Sequence, residues 1–397
     1  MIAPPSKAVS RITFLIRDFG YGGAQRQLLL LATGLVRRGF VCTVIHFYPG
    51  PLLGEFHAAG VSTVAVEKKG RWDLIGFFFR LRRTVVASRP EVLQAYLTES
   101  NALSVLLRPW LPGVKIVWGI RDSESDAAHW GWLGRASART ARWLSRFAHA
   151  LIANSEAGRD WYAERGYPRD RLHVVANGID AARFAPVPTA SNSESSLRTT
   201  WLQRKNRLDA PDLRIIGHIG RLHPMKGHRD LFAALALLNF SERQRLLVVL
   251  IGTGTMAHRR ELELAEKDAN LGDVILWQDP ITDMPPVYQA LDAVVLPSTF
   301  GEGFPNVVAE AMASALPVIA TDVGDTRKLM NSVGLLVPPQ DPAALADALR
   351  QFLSWTPEEC RSVGEASQAH IQSHYSTTQL EEKTLAIYQL KDHPADA

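Results

Sequence analysis

Cysteine is almost missing from these 397 residues: Cys42 and Cys360 stand far apart, so the chain offers neither a disulfide framework nor the ligand spacing of a zinc site. No uninterrupted apolar run reaches the ~18 residues of a membrane-spanning helix, and residues 1–7 hold no apolar core of the kind a secretory leader carries. A reducing, cytoplasmic setting is the expectation. There is no Asp-x-Asp pair to hold a metal against a diphosphate, and no zinc-finger, basic-zipper or RNA-recognition signature. Nucleic acid is therefore not expected as a partner, nor is a resident metal.

Net charge is also small, at +4, but it is unevenly spread. Residues 1–180 hold 24 Lys and Arg against 14 Asp and Glu, whereas the remainder holds 20 against 26. The basic half should face something anionic, and a membrane surface or lipid phosphate fits better than nucleic acid. Arg135, Arg139, Arg142 and Arg146 recur at helical spacing and would share one face, and Trp72 with Phe77–Phe79 precedes Arg80, Arg82 and Arg83. A solvated face over ordinary core aromatics explains these two segments as well as lipid contact does.

The length suits two domains. The strand Ile12–Ile16, a glycine loop, a helix over 27–38 and the strand Val41–Ile45 form a crossover unit, so a doubly wound parallel α/β sheet is expected. Further strands are predicted at 61–66, 92–96, 115–118, 151–153 and 173–175. A Ser/Thr/Asn-rich stretch within 186–211 reads as a linker or exposed loop. Strands at 214–220, 246–251, 274–277, 293–296 and 318–320 then build a second sheet of the same class. The expected division is 1–185, 186–211, 212–374 and a C-terminal helix over 375–397.

The densest chemistry lies after the apolar run 291–296, where Gly301-Glu302-Gly303-Phe304-Pro305-Asn306-Val307 turns into a helix containing Glu310. Pro305 is tolerated in a first helical turn, leaving the amides of Asn306 and Val307 to point out of the helix start, which is where phosphate binds. Two carboxylates beside such an anion site suit neutral hydroxyl groups, which a carboxylate accepts from. The layout fits a diphosphate between two sugar-like groups.

This segment resembles the Glu-x7-Glu signature of retaining glycosyltransferases of family 4, which have the two-domain GT-B fold. Gly217–Gly227, with Gly220-Arg221-Leu222 and Lys226-Gly227, resembles the family's donor-diphosphate motif; Leu250–Gly254 resembles the strand and turn that follow it. Gly20–Arg26 resembles the N-terminal glycine loop, and Asn177–Asp180 the segment closing the first domain. The resemblance implies that Arg221 and Lys226 clamp the diphosphate and that Glu302 contacts the transferred sugar with the amides of Gly303 and Phe304. It further implies that Glu310 binds the ribose, that Gly22 and Gly23 let the backbone approach the donor, and that the C-terminal helix crosses back onto the first domain. The active site would be the cleft between domains.

At residues 118–123 the sequence departs from relatives that place a His at this strand end: Arg121 and Asp122 occupy the region. Neither inherits the His role, and both are retained only as weak candidates; His129 beside Trp130 reads as packing. The resemblance implies a nucleotide-sugar donor, no cofactor, a saccharide acceptor that could be lipid-diphosphate-linked, and a pathway making bacterial surface polysaccharide (lipopolysaccharide, capsule or exopolysaccharide). Two rivals share the sheets. A dinucleotide-dependent oxidoreductase would need a complete Gly-x-Gly-x-x-Gly, which residues 20–23 do not supply. A non-catalytic nucleotide-sugar or saccharide binder would keep the cleft and lose turnover.

Overall fold

The computed structural model describes residues 10–70, 72–121, 132–186, 195–210 and 212–390, with backbone alone for 132–137 and 195–196. The chain divides into two compact units, residues 1–178 with 377–397, and residues 179–376. Asp122, His129 and Trp130 lie outside the described residues.

The first unit holds seven strands: β1 (Arg11–Ile16), β2 (Val41–His46), β3 (Ser62–Ala65), β4 (Val92–Tyr96), β5 (Lys115–Ile120), β6 (Ala150–Ala153) and β7 (Leu172–Val174). They lie in the order β3-β2-β1-β4-β5-β6-β7, every neighbouring pair parallel. Central strands such as β4 (Val-Leu-Gln-Ala-Tyr) and β6 (Ala-Leu-Ile-Ala) are buried at every position, as expected of a parallel sheet covered on both faces. Gln94 is the polar exception, and its Oε1 accepts from the buried Tyr388 hydroxyl.

Tyr388 belongs to the helix Thr377–Tyr388, which packs on the helix Gly23–Arg37. Leu380, Ile387 and Tyr388 enter the core of the first unit, Arg38 Nε meets Glu381 at 2.5 Å, and Lys115 Nζ donates to the carbonyl of Tyr388 at 3.1 Å. The C-terminal segment is therefore part of the first unit's core.

The second unit holds β8 (Arg214–Ile219), β9 (Leu246–Ile251), β10 (Ile275–Gln278), β11 (Ala293–Leu296), β12 (Val318–Thr321) and β13 (Leu335–Val337), in the order β10-β9-β8-β11-β12-β13 and parallel throughout. Its core joins β8, β9 and β11 to the helices His228–Ala236 and Pro342–Ser354 through Leu231, Leu235, Leu349 and Phe352.

Part of the stretch read as a linker is ordered. Residues Ser195–Arg204 form a helix whose Trp201 is fully buried and donates from Nε1 to Gln278 Oε1 at 3.1 Å. Arg198 pairs with Asp292 at 3.1 Å. Composition misled here because Ser and Thr are weak helix formers on their own, while one aromatic anchor and an ion pair supply tertiary contacts that propensity does not register.

Candidate active site at the carboxyl edge of the second sheet

β8 and β11 are neighbours, yet β9 and β10 continue the sheet on one side and β12 and β13 on the other. The loops leaving β8 and β11 thus flank the point where strand order reverses, where open α/β sheets bind ligands. They touch backbone to backbone: Thr299 N donates to the Met225 carbonyl at 2.8 Å. Gly227 sits at φ +66°, and a Cβ there would stand 1.7 Å from the Pro297 carbonyl oxygen, so both conformation and space demand glycine. The loop after β9 joins them, with Leu222 N donating to the Thr253 carbonyl at 2.7 Å.

Within this frame Lys226 Nζ meets Glu302 Oε1 at 2.5 Å, the two side chains only 14% and 7% exposed. Ser298 Oγ donates to the same carboxylate oxygen at 2.6 Å, and Thr321 Oγ1 donates to the Ser298 carbonyl at 2.6 Å. The two residues predicted to share a donor, one through its phosphate and the other through its sugar, are bonded to each other. Arg221 is exposed and has no carboxylate within ion-pair distance among the described residues. Its charge is available.

The helix Asn306–Ala313 begins one residue later than expected. Pro305 is its N-cap, in an extended conformation with φ −77°, because its carbonyl already accepts from Val308 and Ala309 at 3.1 and 3.2 Å. The amides of Asn306 and Val307 precede the first intrahelical bond in either register. Gly303 and Phe304 are buried, with the Phe304 ring 5.4 Å from Tyr375. Glu310 Oε2 accepts from the buried Tyr288 hydroxyl at 2.8 Å, and burial together with that carboxylate pushes the phenol well above its ordinary range, so Tyr288 remains a donor. The Phe184 ring stands edge-on to Tyr288 at 5.7 Å.

Beneath the Lys226 loop lie two buried histidines, His218 on β8 and His228 at the following helix start, with ring centroids 4.4 Å apart. His218 Nδ1 is 3.2 Å from the Val295 carbonyl. Burial pushes His218 down to about 4 and His228 to about 2, and for His228 the neighbouring imidazole adds to the effect. Both are neutral at physiological pH.

The predicted residues of the first unit are described within that unit. Gly22 caps the helix Gly23–Arg37, while the Asp18 carboxylate accepts from Gly20 N at 2.9 Å and Gln25 Nε2 at 3.1 Å and so fixes the glycine loop. Arg121 follows β5, its Nη1 donating to Asn177 Oδ1 at 2.9 Å and its guanidinium 4.8 Å from the Tyr96 ring centroid. Sequence reading missed Ser298, Thr321, Tyr288 and Gln27. Ser298 adjoins the motif, but Tyr288 lies 22 positions before its partner and Gln27 lies 151 from the Gly178 it holds, beyond any local pattern.

Two family models match: Glycosyltransferase Family 4 over residues 21–183 and Glycosyl transferases group 1 over residues 214–354. The chain is 35% identical over 191 residues to the putative glycosyltransferase EpsF of Bacillus subtilis, covering 48% of this chain and 46% of that one. It is 34% identical over 212 residues to a D-inositol 3-phosphate glycosyltransferase of Xylanimonas cellulosilytica, covering 52% and 48%. The matches span about half the length of these curated relatives. Among solved structures, Anabaena HepE in complex with UDP-glucose superposes with a TM-score of 0.81 at 22% identity over 95% of this chain and 98% of that one. WaaG, involved in lipopolysaccharide biosynthesis, does so at 0.70 and 17% over 96% and 100%. The fold is GT-B.

Proposed function

We propose that this chain, which belongs to the family 4, group 1 glycosyltransferases, moves a sugar from a nucleoside-diphosphate donor to an acceptor hydroxyl with retention of anomeric configuration. The observation that carries this reading is the buried Lys226–Glu302 pair at the strand-order switch of the second unit. Lys226 and the available Arg221 would take the two phosphates, aided by the amides at the start of the helix Asn306–Ala313. As the glycosidic bond breaks, the leaving diphosphate gains charge, and cations already in place stabilise it more than they stabilise the ground state.

Lys226 would then be shared between phosphate and Glu302, freeing part of the carboxylate to accept from a sugar hydroxyl. Ser298, bonded to the same oxygen, keeps Glu302 oriented while that exchange occurs. Glu310 would accept from the ribose hydroxyls, steadied by Tyr288. The acceptor oxygen attacks from the face the diphosphate leaves, its proton passing to the departing phosphate oxygen. No separate base or metal is needed.

The nucleotide reading is supported by HepE, whose solved complexes contain UDP and UDP-glucose. A role in surface polysaccharide assembly at the inner face of the cytoplasmic membrane, with a lipid-linked acceptor held by the first unit, completes the proposal. Among the described residues no helix is long and apolar enough to cross a membrane.

The test uses proton NMR of slow donor hydrolysis across a panel of nucleotide sugars in EDTA, where the first-formed anomer should match the donor. Titrating nucleoside diphosphate against Glu302→Gln and Glu310→Gln separates the roles. Glu302→Gln should cost transfer more than nucleotide affinity, whereas Glu310→Gln should weaken both. Equal losses of affinity would overturn the assignment, and an inverted first product would overturn retention.

A further inference from the structure

Arg121 is the one half-buried guanidinium, among the described residues following strands of the first sheet, that ends a strand without a carboxylate partner. Among the described residues it meets neutral groups, donating from Nη1 to Asn177 Oδ1 at 2.9 Å with its face covered by the Tyr96 ring. Nε is buried and has no hydrogen-bond partner among the described residues, which leaves the edge of the guanidinium that carries it open to a ligand. That edge is the planar fork that receives carboxylate or phosphate with two parallel bonds. A buried donor left unsatisfied costs about 1–3 kcal/mol, so an edge kept in this state calls for a ligand.

The surroundings are built to hold the fork still. Register places Ile120 beside Ala153, so Arg121 and the buried Asn154 leave neighbouring strands side by side. Asn177 is fixed by its neighbour: the buried Gln27 donates from Nε2 to the Gly178 carbonyl at 2.9 Å and accepts from Gly178 N at 2.9 Å. Gln27 lies on the helix that starts at Gly23, so one amide clamp ties the glycine-loop helix to the residue orienting Arg121. Tyr96 stacks beneath and is fully buried, and burial raises its phenol against the pull of the Arg121 charge and hydrogen bonding.

We propose that Arg121, oriented by Asn177 and Gln27, forms an anion subsite in the first unit that takes a phosphate or carboxylate group. Under the transferase reading, on which the following identification rests, that group belongs to the acceptor, which would carry its charge close to the accepting hydroxyl. Asn177 and Gln27 are positioning residues and Arg121 the binding one.

The experiment titrates inorganic phosphate, a hexose 6-phosphate, glucuronate and glucose into the full chain by calorimetry. It compares wild type, Arg121→Gln, Arg121→Lys, Gln27→Ala and Lys226→Gln, the last reporting phosphate taken by the second unit. Arg121→Gln should weaken binding of the phosphate or the carboxylate by about ten- to a hundredfold, while Arg121→Lys, keeping charge but not the fork, recovers only part. Gln27→Ala should weaken the same ligand less, with unchanged glucose behaviour.

Preference among phosphate, sugar phosphate and glucuronate tells which anion the subsite serves. Anion affinities unchanged in both Arg121 variants overturn the proposal, as does a loss in Lys226→Gln that accounts for all anion binding. Arg121-dependent binding that persists in a chain with no affinity for nucleoside diphosphates would leave this subsite standing and sink the transferase reading instead.

Discussion

The two units carry the same parallel sheet in the same order of their first strands, yet their carboxyl edges treat charge in opposite ways. At the second edge the central cation is neutralised internally, Lys226 against Glu302 at 2.5 Å, and both are almost out of solvent. At the first edge Arg121 is held by an amide oxygen and an aromatic face, with no carboxylate against it among the described residues. The second edge binds a ligand in part by rearranging a pair it already has, with Arg221 adding an exposed charge beside it; the first offers a cation that no carboxylate of the described residues meets. The difference suits a donor that brings both charge and hydroxyls to one edge and a partner that brings charge to the other.

The largest effect should come from splitting the pair. Lys226→Ala should lower turnover by about 10² to 10³, because a preorganised cation on the leaving group is gone. It should also destabilise the second unit by about 3 kcal/mol or more, since Glu302, 7% exposed, is left buried without its cation. Adding Glu302→Gln to Lys226→Ala should recover much of that stability and none of the turnover. Thermal unfolding and transfer rates of both single variants and the double variant complete the cycle. If Lys226→Ala melts as wild type does, the pair is not the internal neutralisation described above.

How far the sequence reveals this contrast depends on how local each signal is. Buried parallel strands announce themselves as apolar runs, so β1, β9 and β11 are legible residue by residue, and the Gly-rich turns flanking the switch point are legible from their spacing. β13 escaped, since Leu335–Val337 is three residues long and only half buried, too short to show a period. The identities of Lys226 and Glu302 could be read, but their mutual bond could not, because residues 76 apart meet only when β8 and β11 pair. The Arg121–Asn177 contact, 56 apart, is hidden for the same reason.

A smaller effect separates the units by pH. His218 and His228 lie in the second unit with folded values near 4 and 2 against an ordinary 6.5, so the unfolded chain takes up protons that the folded unit refuses. Their contribution is therefore present above pH 6.5 and lost as pH falls, toward 4 for His218 and toward 2 for His228, at up to about 1.4 kcal/mol per pH unit for each imidazole. Urea unfolding at pH 7 and pH 5, followed by hydrogen exchange in β8 and β9, should show a steeper loss than the peptides of β4 and β5. His228→Gln should flatten it. An equal pH response in both units, or an unchanged slope in the variant, would remove this distinction between them.

The smallest effect concerns how the basic charge of the first unit is used at its surface. Arg139, Arg142 and Arg146 are exposed around Trp143, itself 57% exposed and 5.1 Å from the Phe147 ring, which makes a combined basic and aromatic surface at the end of the helix Trp132–Leu144. A second surface is carried by Trp72, Ile75 and Phe79, which are 86%, 75% and 56% exposed, while Phe77 of the same segment points into the core. Each basic residue near an anionic leaflet adds about 1 kcal/mol, and three or four acting together give binding that is reversible and weakened by salt. Flotation with vesicles containing acidic lipid should exceed that with neutral vesicles, fall as salt rises, and drop when Arg135, Arg139, Arg142 and Arg146 are changed to Gln. Trp72→Ser with Phe79→Ser should weaken flotation with less change in its salt dependence, because the lost contribution is apolar. If the quadruple variant floats as wild type does, the arginine surface is merely solvated.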